Sequence, residues 1–156
     1  MTDLPDGWLS AADVKELARL AKSQTVLELG AYKGRSTVVL SEHAKYVISV
    51  DRHQGVNYPE DTFTDYLLAV RELPNVAIVV ARFEDFVPYI WNVEMVFIDG
   101  DHDYNSVKRD IQLALDLDPL VIVFHDWDFD EVRAAARPYF LGEPDALSGS
   151  IASFKR

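Results

Sequence analysis

Short apolar runs rich in β-branched residues alternate along this chain with segments of helical periodicity, and this alternation constrains the fold more than any other feature. The predicted strands cover residues 25–29, 46–50 (ending at Asp51), 75–81, 94–99 and 120–126, with a terminal strand at 150–155. The predicted helices cover residues 10–22, 36–43, 63–72, 104–117 and 131–139. The pattern predicts an α/β fold, a three-layer αβα sandwich whose doubly wound, mostly parallel sheet has right-handed crossovers and a short C-terminal part.

Length and composition limit the number of domains and the kinds of partner. The 156 residues predict a single domain, 1–156, without internal repeats or linkers. A formal charge of -11 opposes binding to a phosphate backbone, so nucleic acid is not an expected partner. No apolar segment approaches the roughly 20 residues of a membrane-spanning helix, and the acidic N-terminus differs from a signal peptide. We therefore expect a cytoplasmic protein that acts on a small molecule and does not bind a membrane. The sequence leaves the oligomeric state open, and a homodimer is one option.

Polar residues at the ends of the predicted strands should come together in space. In a doubly wound sheet, ligands bind in a crevice beyond the C-terminal ends of the parallel strands. The residues expected at that edge are Glu28, Asp51, Glu84, Asp99, His125 and Asp126. The sequence therefore predicts an acidic crevice at one edge of the sheet.

The segment TVLELGAYKGRST, residues 25–37, ends the first strand in a bend that contains two glycines. Gly30 and Gly34 have no Cβ, so the chain can turn sharply and a ligand can approach the backbone. A dinucleotide site would need G-x-G-x-x-G around a pyrophosphate, which the Glu28 carboxylate would repel. S-Adenosylmethionine has an ammonium group and no phosphate, and Asp51 is placed to accept hydrogen bonds from its ribose hydroxyls. The structural alternative is a glycine C-cap turn and an ordinary loop aspartate.

Three motifs of the chain are similar to those of a known enzyme family. The segment VLELGAYKGRS resembles motif I of class I S-adenosylmethionine-dependent methyltransferases, in a form close to that of catechol O-methyltransferases. The segments FIDGDHDYNSVKRDI and VIVFHDW resemble the group that includes macrocin O-methyltransferase. The resemblance runs from about Val26 to Trp127. It implies a Rossmann-like methyltransferase fold and O-methylation of a small hydroxylated acceptor, with S-adenosylmethionine as methyl donor.

The resemblance also implies a set of cofactor-binding residues. The matching positions are Glu28 for the methionine ammonium group, Gly30, Ala31, Tyr32 and Gly34 for the rest of the methionine portion, Ser36 for its carboxylate, Asp51 for the ribose, Arg52, Phe83 and Glu84 for the adenine, and also Asp99.

Carboxylates and imidazoles follow the fourth and fifth strands, in FIDGDHD and FHDWD. The chain has no cysteine, so any bound metal must have oxygen or imidazole ligands. Neighbouring parallel strands lie about 5 Å apart, so Asp99 and Asp126 can face each other, and a divalent cation would relieve their repulsion. The resemblance implies a metal at Asp99, His125 and Asp126 that lowers the pKa of the acceptor oxygen. His125 stands where catechol-type enzymes have an acid and suits Mn²⁺ better than Mg²⁺. The alternative is that Asp99 and Asp101 cap the following helix and Asp126 caps the last one.

His102 is the candidate general base, because an imidazole can accept a proton from a hydroxyl near neutral pH. Catechol-type enzymes place a basic side chain at the equivalent offset, so the resemblance implies Asp99, His102 and Asp126 as the catalytic set. The alternative for His102 is a hydrogen bond within its own loop. Of the other histidines, His43 is predicted on a helix surface and His53 in the cofactor loop. Four aromatic residues are predicted either to border an acceptor pocket or simply to pack: Trp8, Tyr58, Trp91 and Trp127.

The sequence is consistent with three functions. The first is methyl transfer by direct displacement, in which the enzyme aligns donor and acceptor. The second is a non-catalytic S-adenosylmethionine-binding module, because few residues precede the first strand and the linker DLDPL lacks a glycine pair usual in relatives. The third, a nicotinamide-dependent reductase, is disfavoured by the missing third glycine.

Overall fold

Seven strands form one mixed sheet in the computed structural model, which describes residues 4–54 and 61–156. They are β1 Thr25–Leu29, β2 Tyr46–Asp51, β3 Val76–Val80, β4 Met95–Ile98, β5 Val121–Phe124, β6 Ala146–Ser148 and β7 Ile151–Lys155. The spatial order is β3-β2-β1-β4-β5-β7-β6; β1 to β5 are parallel, and β7 is antiparallel to β5 and β6. The predicted doubly wound, mostly parallel sheet is confirmed. Residues 55–60, with Tyr58 and most of the predicted polar loop QGVNYPED, lie outside the described residues.

The helices connect these strands. They are α1 Ala11–Ala21, α2 Arg35–His43, α3 Phe63–Val70, α4 Phe83–Phe86, α5 Tyr104–Asp116 and α6 Asp130–Ala136, with a 3-10 turn at Val87–Tyr89. The first helix begins with a capping box, in which the Asp13 N–H donates to Ser10 Oγ at 3.2 Å and the Ser10 N–H donates to Asp13 Oδ2 at 2.7 Å. Leu9, just before the helix, and Val14 in its first turn belong to the same apolar cluster, the positions of a hydrophobic staple.

Alternating side chains of the central strand β4 point to opposite faces of the sheet, which gives the protein two apolar layers. On one face Val96 and Ile98 pack with residues of α5 and α6. On the other face Met95 and Phe97 pack with residues of α1 and α2. The predicted three-layer αβα arrangement is therefore confirmed. In the described residues, 4–54 and 61–156, no helix is long and apolar enough to cross a membrane.

Two elements were not predicted. The helix α4 has four residues, too few to show a helical repeat of apolar positions. The strand β6 has three residues, too few to show an alternating pattern, and it pairs with β7 near the C-terminus. The central strands behaved differently, because each is a buried apolar run closed by polar residues. Their observed ends lie within two residues of the predicted ones.

The strand order reverses between β1 and β4, since the chain runs outward from β1 to β2 and β3 and then returns to the other side of β1. At such a switch point the connections leave neighbouring strands toward opposite faces and open a crevice. Backbone hydrogen bonds continue past the strands here: the Gly30 N–H donates to Val50 O at 3.0 Å, and the Asp99 N–H donates to Leu29 O at 2.8 Å. The ends of β1, β2 and β4 are thus fixed next to one another.

Candidate functional site

A cavity of about 920 Å³ lies at the C-terminal edge of the parallel strands. Such a volume suits a drug-sized ligand. Most of the predicted site residues line it: Gly30, Ala31, Tyr32, Ser36, Asp51, Arg52, Phe83, Glu84, Asp99, His102, His125 and Asp126. The predicted convergence of strand ends is therefore confirmed for these residues. Glu28 and Gly34 are not part of the cavity wall.

Glu28 is completely buried between the sheet and α2. Its Oε2 accepts hydrogen bonds from Thr37 Oγ1 and Ser49 Oγ, each at 2.6 Å. Burial raises the pKa of the Glu28 carboxyl to about 7, although these hydroxyls oppose the shift. The expected contact with a ligand ammonium group is thus corrected: Glu28 faces α2, the same side of the sheet as Val26, and binds the chain itself.

The two glycines of the bend are required by neighbouring chain segments. Gly30 has φ +96°, and a Cβ there would clash with the backbone oxygen of Asp99. Gly34 has φ +92° and precedes α2; a Cβ there would lie 3.1 Å from Val70 Cγ1 and 3.3 Å from Tyr66 Cδ2 on α3. Gly34 therefore allows two helices to pack closely, which corrects its expected contact with the cofactor.

Asp51 holds the bend in place from the end of β2. Its Oδ2 accepts hydrogen bonds from the N–H groups of Ala31 at 2.7 Å and Tyr32 at 2.9 Å, and its Oδ1 accepts from the His53 N–H at 2.7 Å. Each carboxylate oxygen has two lone pairs, so Asp51 can also accept from a ligand. His53 belongs to the same cavity wall, as predicted, with its ring Nδ1 3.1 Å from Thr62 Oγ1.

The segment before α1 closes the cavity on the side of the bend. Arg35 donates from Nε to Leu9 O at 3.2 Å and from Nη1 to Pro5 O at 3.0 Å. Trp8 packs its ring on Tyr32 with a centroid distance of 4.6 Å. The Arg35 contacts could not be predicted from the sequence, because a side chain that donates to distant carbonyls leaves no periodic pattern.

Of the four aromatic residues considered for an acceptor pocket, Trp8 lines the cavity. Trp127 packs against Phe124 and Phe154 in the core, with centroid distances of 5.5 Å and 5.2 Å. Trp91 is largely exposed and is not part of the cavity wall. His43 is exposed at the end of α2, as predicted. Of the three that the structure describes, Trp8 is therefore the candidate for contact with a ligand, and the prediction for Tyr58 lies outside the described residues.

The opposite corner of the cavity is formed by the ends of β3 and β4 and by α5. Phe83 lies against Gly100, and Arg109 reaches from α5 to Glu84, with Nε 3.9 Å from Oε2. Arg52 and Asp101 form an ion pair at 3.5 Å on the same wall. Asp110 of α5 also lines this corner, and burial raises the pKa of its carboxyl to about 7. Sequence reasoning missed Asp110, although an acid on the apolar face of a predicted amphipathic helix is a recognisable signal.

The acidic and imidazole side chains at the ends of β4 and β5 form one connected cluster. His125 Nδ1 lies 3.0 Å from Asp99 Oδ1 and 2.9 Å from Asp126 Oδ2. His102 Nε2 lies 2.8 Å from the same Asp126 oxygen. His125 is almost fully buried, whereas the two aspartates are partly exposed to the cavity. The predicted catalytic and metal-binding residues are thus brought together by the structure.

The titration of this cluster reflects burial and shared hydrogen bonds. Burial alone would lower the pKa of His125, but the hydrogen bonds to Asp126 and Asp99 outweigh it and raise that pKa to about 10. Burial raises the pKa of Asp99. Burial also acts to raise the pKa of Asp126, but the hydrogen bonds from His102 and His125 outweigh it and lower that pKa. The hydrogen bond to Asp126 raises the pKa of His102. The two carboxylates therefore favour the protonated form of His125.

The same three residues have the donor set of a divalent cation site. One ligand atom each from Asp99, His125 and Asp126 lies within 4.8 Å of the others. Two carboxylates and an imidazole suit Mn²⁺ or a similar ion. A metal-bound histidine usually donates its second N–H to a carboxylate. Here the buried Asp13 Oδ2 lies 3.9 Å from His125 Nε2, too far for a hydrogen bond, and His125 Nε2 has no hydrogen-bond partner among the described residues. The donor set of Asp99, His125 and Asp126 therefore fits a divalent cation, whereas this second contact is incomplete.

The helix-capping alternative for these aspartates is wrong. The N-cap of α5 is Asp103, whose Oδ1 accepts hydrogen bonds from the Asn105 and Ser106 N–H groups at 3.1 Å. The N-cap of α6 is Phe129, which makes no side-chain cap hydrogen bond. Asp99, Asp101 and Asp126 therefore have no capping role, and their placement beside the cavity needs another reason.

Comparison with known proteins gives one family match. The sequence matches the model of a methyltransferase domain over residues 27–127. No curated protein sequence matches the chain. The matched segment begins in β1 and ends just after Asp126, so it contains the bend, both acidic strand ends and the whole cluster.

Several solved structures share the fold. The cofactor-bound protein Rv0187 from MTB has 26% sequence identity and a TM-score of 0.63, with 86% of this chain and 69% of that chain covered. An O-methyltransferase from Bacillus cereus in complex with SAH has 18% identity and a TM-score of 0.65, with 87% and 70% covered. The O-methyltransferase TomG from Streptomyces achromogenes, in complex with SAM, has 22% identity and a TM-score of 0.60, with 90% and 66% covered.

Proposed function

Because the chain belongs to the methyltransferase domain family, we propose that it transfers the methyl group of S-adenosylmethionine to an oxygen of a small hydroxylated acceptor, with assistance from a divalent cation. Its fold is that of the class I enzymes, and it resembles the catechol O-methyltransferase-like group. The observation that carries the proposal is the location of the cluster Asp99, His125 and Asp126 in the same cavity as the glycine bend. Donor and acceptor sites are then adjacent.

The bend end of the cavity is the proposed donor site. When bound there, S-adenosylmethionine supplies a methyl group on a positively charged sulfur, which an acceptor oxygen can attack directly. Asp51 accepts hydrogen bonds from the ribose hydroxyls while it continues to hold the N–H groups of Ala31 and Tyr32. Phe83, Arg52 and Glu84 line the same cavity and would hold the adenine ring. The acidic wall around Asp99 favours the ammonium and sulfonium charges.

The acidic cluster is the proposed acceptor site. A divalent cation held by Asp99, His125 and Asp126 would lower the pKa of an acceptor hydroxyl. His102 is the proposed general base, accepting the hydroxyl proton on its imidazole ring. Asp126 lies 2.8 Å from His102 Nε2 and raises the pKa of His102, which orients the ring and makes it a stronger base. The chain thereby brings a deprotonated oxygen close to the donor methyl group.

Calorimetry and product analysis test the two halves of the proposal separately. We expect S-adenosylhomocysteine to bind with a dissociation constant in the micromolar range. With S-adenosylmethionine, Mn²⁺ and a panel of catechols, sugars and other hydroxylated metabolites, mass spectrometry should detect an O-methylated product that EDTA suppresses. Absence of binding at millimolar cofactor would refute the donor site. Transfer that persists at full rate in EDTA would refute the metal.

The hydrogen bonding of His125 favours a second candidate, a module that binds S-adenosylmethionine without turnover. A protonated His125, 3.0 Å from Asp99 and 2.9 Å from Asp126, offsets one of their two negative charges, so less charge is left for a metal to balance. Under this candidate, cofactor binds, the acceptor panel yields no product, and Mn²⁺ leaves the melting temperature unchanged. Detection of any methylated acceptor at enzymatic rates would exclude it.

A further inference from the structure

Asp110 is a buried acid that the proposed mechanism does not use. It lies on α5 between the core residues Val107, Ile111 and Ala114, and its side chain is only 1% exposed. Within the described part of the chain, neither of its carboxyl oxygens has a hydrogen-bond partner. The nearest cation, Arg109 Nε, lies 3.6 Å from Oδ1, and the Arg109 side chain is half exposed. A buried carboxyl without a partner costs stability, so its presence requires an explanation.

The position of Asp110 supplies one. Asp110, Phe83 and Gly100 line the same corner of the cavity. The two side chains converge on Gly100 so closely that a Cβ there would lie 2.9 Å from Phe83 Cε2 and 3.3 Å from Asp110 Oδ2. A planar ring packed on Phe83 would therefore turn one edge toward the Asp110 carboxyl. An edge that carries hydrogen-bonding groups would satisfy it.

We propose that Asp110 recognises the amino edge of the adenine ring of the methyl donor and thereby selects adenine nucleosides. This inference rests on the proposed function, because it concerns the same donor. Adenine presents an exocyclic N–H donor beside a ring nitrogen acceptor. A protonated carboxyl matches that edge, since its C=O accepts from the amino group while its O–H donates to the ring nitrogen.

The electrostatic surroundings keep this protonated form accessible near neutral pH. Burial raises the pKa of Asp110 to about 7, and Asp101 and Glu84 act in the same direction, whereas Arg109 opposes them. These are the charged groups that face Asp110 from the loop after β4, from α4 and from α5. If the Asp110 carboxyl ionises, both of its oxygens become acceptors, and one of them would then face an adenine ring nitrogen that is also an acceptor. Donor affinity should therefore fall as the pH rises above about 7.

Three variants separate recognition from structure. Asp110→Leu removes both hydrogen-bonding atoms, and Asp110→Asn keeps an acceptor and a donor that no longer titrate, the pairing by which amides contact adenine. Asp116→Asn is the matched control, because it makes the same change at an exposed position of α5 where the side chain accepts only from Gln112, at 3.0 Å. Calorimetry at pH 6 and pH 8 measures S-adenosylhomocysteine binding by all four proteins.

We expect the leucine variant to bind S-adenosylhomocysteine about tenfold or more weakly at pH 6. Its melting temperature in the absence of ligand should rise by about 3 °C or more, because an unpartnered buried acid has been removed. Between pH 6 and pH 8 the wild type and the Asp116→Asn control should each lose up to about tenfold in affinity for S-adenosylhomocysteine. Asp110→Asn should not show this loss, because its side chain does not titrate. A purine riboside analogue without the exocyclic amino group should be much less sensitive to Asp110→Leu.

The failures are distinguishable. If the wild type does not bind S-adenosylhomocysteine, the proposed function falls and this inference with it. If the wild type binds and Asp110→Leu binds equally well at pH 6, the inference alone is overturned. Should the leucine variant not fold, Asp110→Asn decides: a pH dependence of binding equal to that of the wild type overturns the inference.

Discussion

The two ends of the cavity use their carboxylates in opposite ways. At the bend end, Asp51 accepts hydrogen bonds from three backbone N–H groups and Glu28 accepts from two hydroxyls. At the cluster end, Asp99 and Asp126 share one imidazole nitrogen. The nearby Asp110 makes no hydrogen bond within the described residues. The bend acids are therefore held by backbone and hydroxyl donors, although Glu28 Oε1 has no partner among the described residues, whereas the cluster acids are held by imidazoles and face the cavity.

The difference shows that a strand-end acid has no fixed role. What decides the role is the number of donors that the surrounding chain supplies. Backbone N–H groups turned inward by the bend need an acceptor, and Asp51 provides it, so its first function is structural. In the described residues no backbone N–H donates to the side chain of Asp99 or Asp126, whose neighbours are the imidazoles of His125 and His102. The bend should therefore be sensitive to stability changes, and the cluster to changes in binding.

The bend should tolerate no added side chain at Gly30, and this is the largest effect that we expect. In Gly30→Ala the Cβ meets the backbone oxygen of Asp99, so β1 and β4 must separate. We expect a loss of roughly 4 kcal/mol or more in the free energy of unfolding, or no folded protein. Urea denaturation followed by circular dichroism measures it.

Gly142→Ala is the matched control, because Gly142 has nearly the same φ, +98° against +96°, and nothing lies within 4 Å of its added Cβ. It should lose only about 1 kcal/mol, the cost of a left-handed backbone for alanine. Equal losses in the two variants would mean that backbone conformation, and not the approach of β4, explains Gly30.

Replacement of the two strand-end aspartates should sharpen the contrast between the ends of the cavity. Asp51→Ala removes the hydrogen-bond acceptor of the N–H groups of Ala31, Tyr32 and His53. We therefore expect a loss of about 3 kcal/mol in the free energy of unfolding. Asp99→Ala removes one of two acids beside His125, and its loss should be smaller than that of Asp51→Ala, because Asp126 keeps its hydrogen bond to His125 and the burial cost of the Asp99 carboxyl is removed. Urea denaturation at pH 7 compares them. A larger loss in Asp99→Ala would reverse the assignment of structural and ligand-binding acids.

The sequence predicted the sheet because its information is local. Each central strand is an apolar run closed by polar residues, and the β-α alternation leaves few topologies. The same logic placed Asp51, Asp99 and Asp126 at one edge of the sheet. It failed for Glu28, because a position at the end of a strand does not say whether the side chain faces the crevice or the helix above it.

The missed site residues depend on partners far away in the chain. Asp13 is predictable as a capping residue, but it also accepts from the Ser150 N–H at 2.8 Å across 137 positions and approaches His125. Arg35 binds the backbone of a segment that has no regular structure. Such contacts follow from the assembled fold and leave no local pattern in the sequence.

The cluster should respond to Mn²⁺ where the bend does not. If Asp99 and Asp126 hold the ion, Mn²⁺ at about 100 times its dissociation constant stabilises the wild type by about 2.7 kcal/mol, seen as a rise in melting temperature. Asp99→Asn and Asp126→Asn should each abolish that rise. Asp128→Asn, an exposed neighbour, is the control and should keep it. An unchanged rise in both cluster variants would place the metal elsewhere.

The smallest effect that we expect concerns Glu28, whose contribution to the free energy of unfolding should depend on pH. The pKa of Glu28 is raised by burial from 4.5 to about 7, so the folded state binds its proton more tightly than the unfolded state between these values. Stability from this group is therefore greatest at low pH and falls as the pH rises from about 4.5 to 7. Glu28→Gln keeps an acceptor for Thr37 and Ser49 but does not titrate. Relative to the wild type, it should gain about 2 kcal/mol in unfolding free energy between pH 5 and pH 8. A constant difference across that range would mean that Glu28 is ionised in the folded protein and that its hydroxyl partners offset the burial.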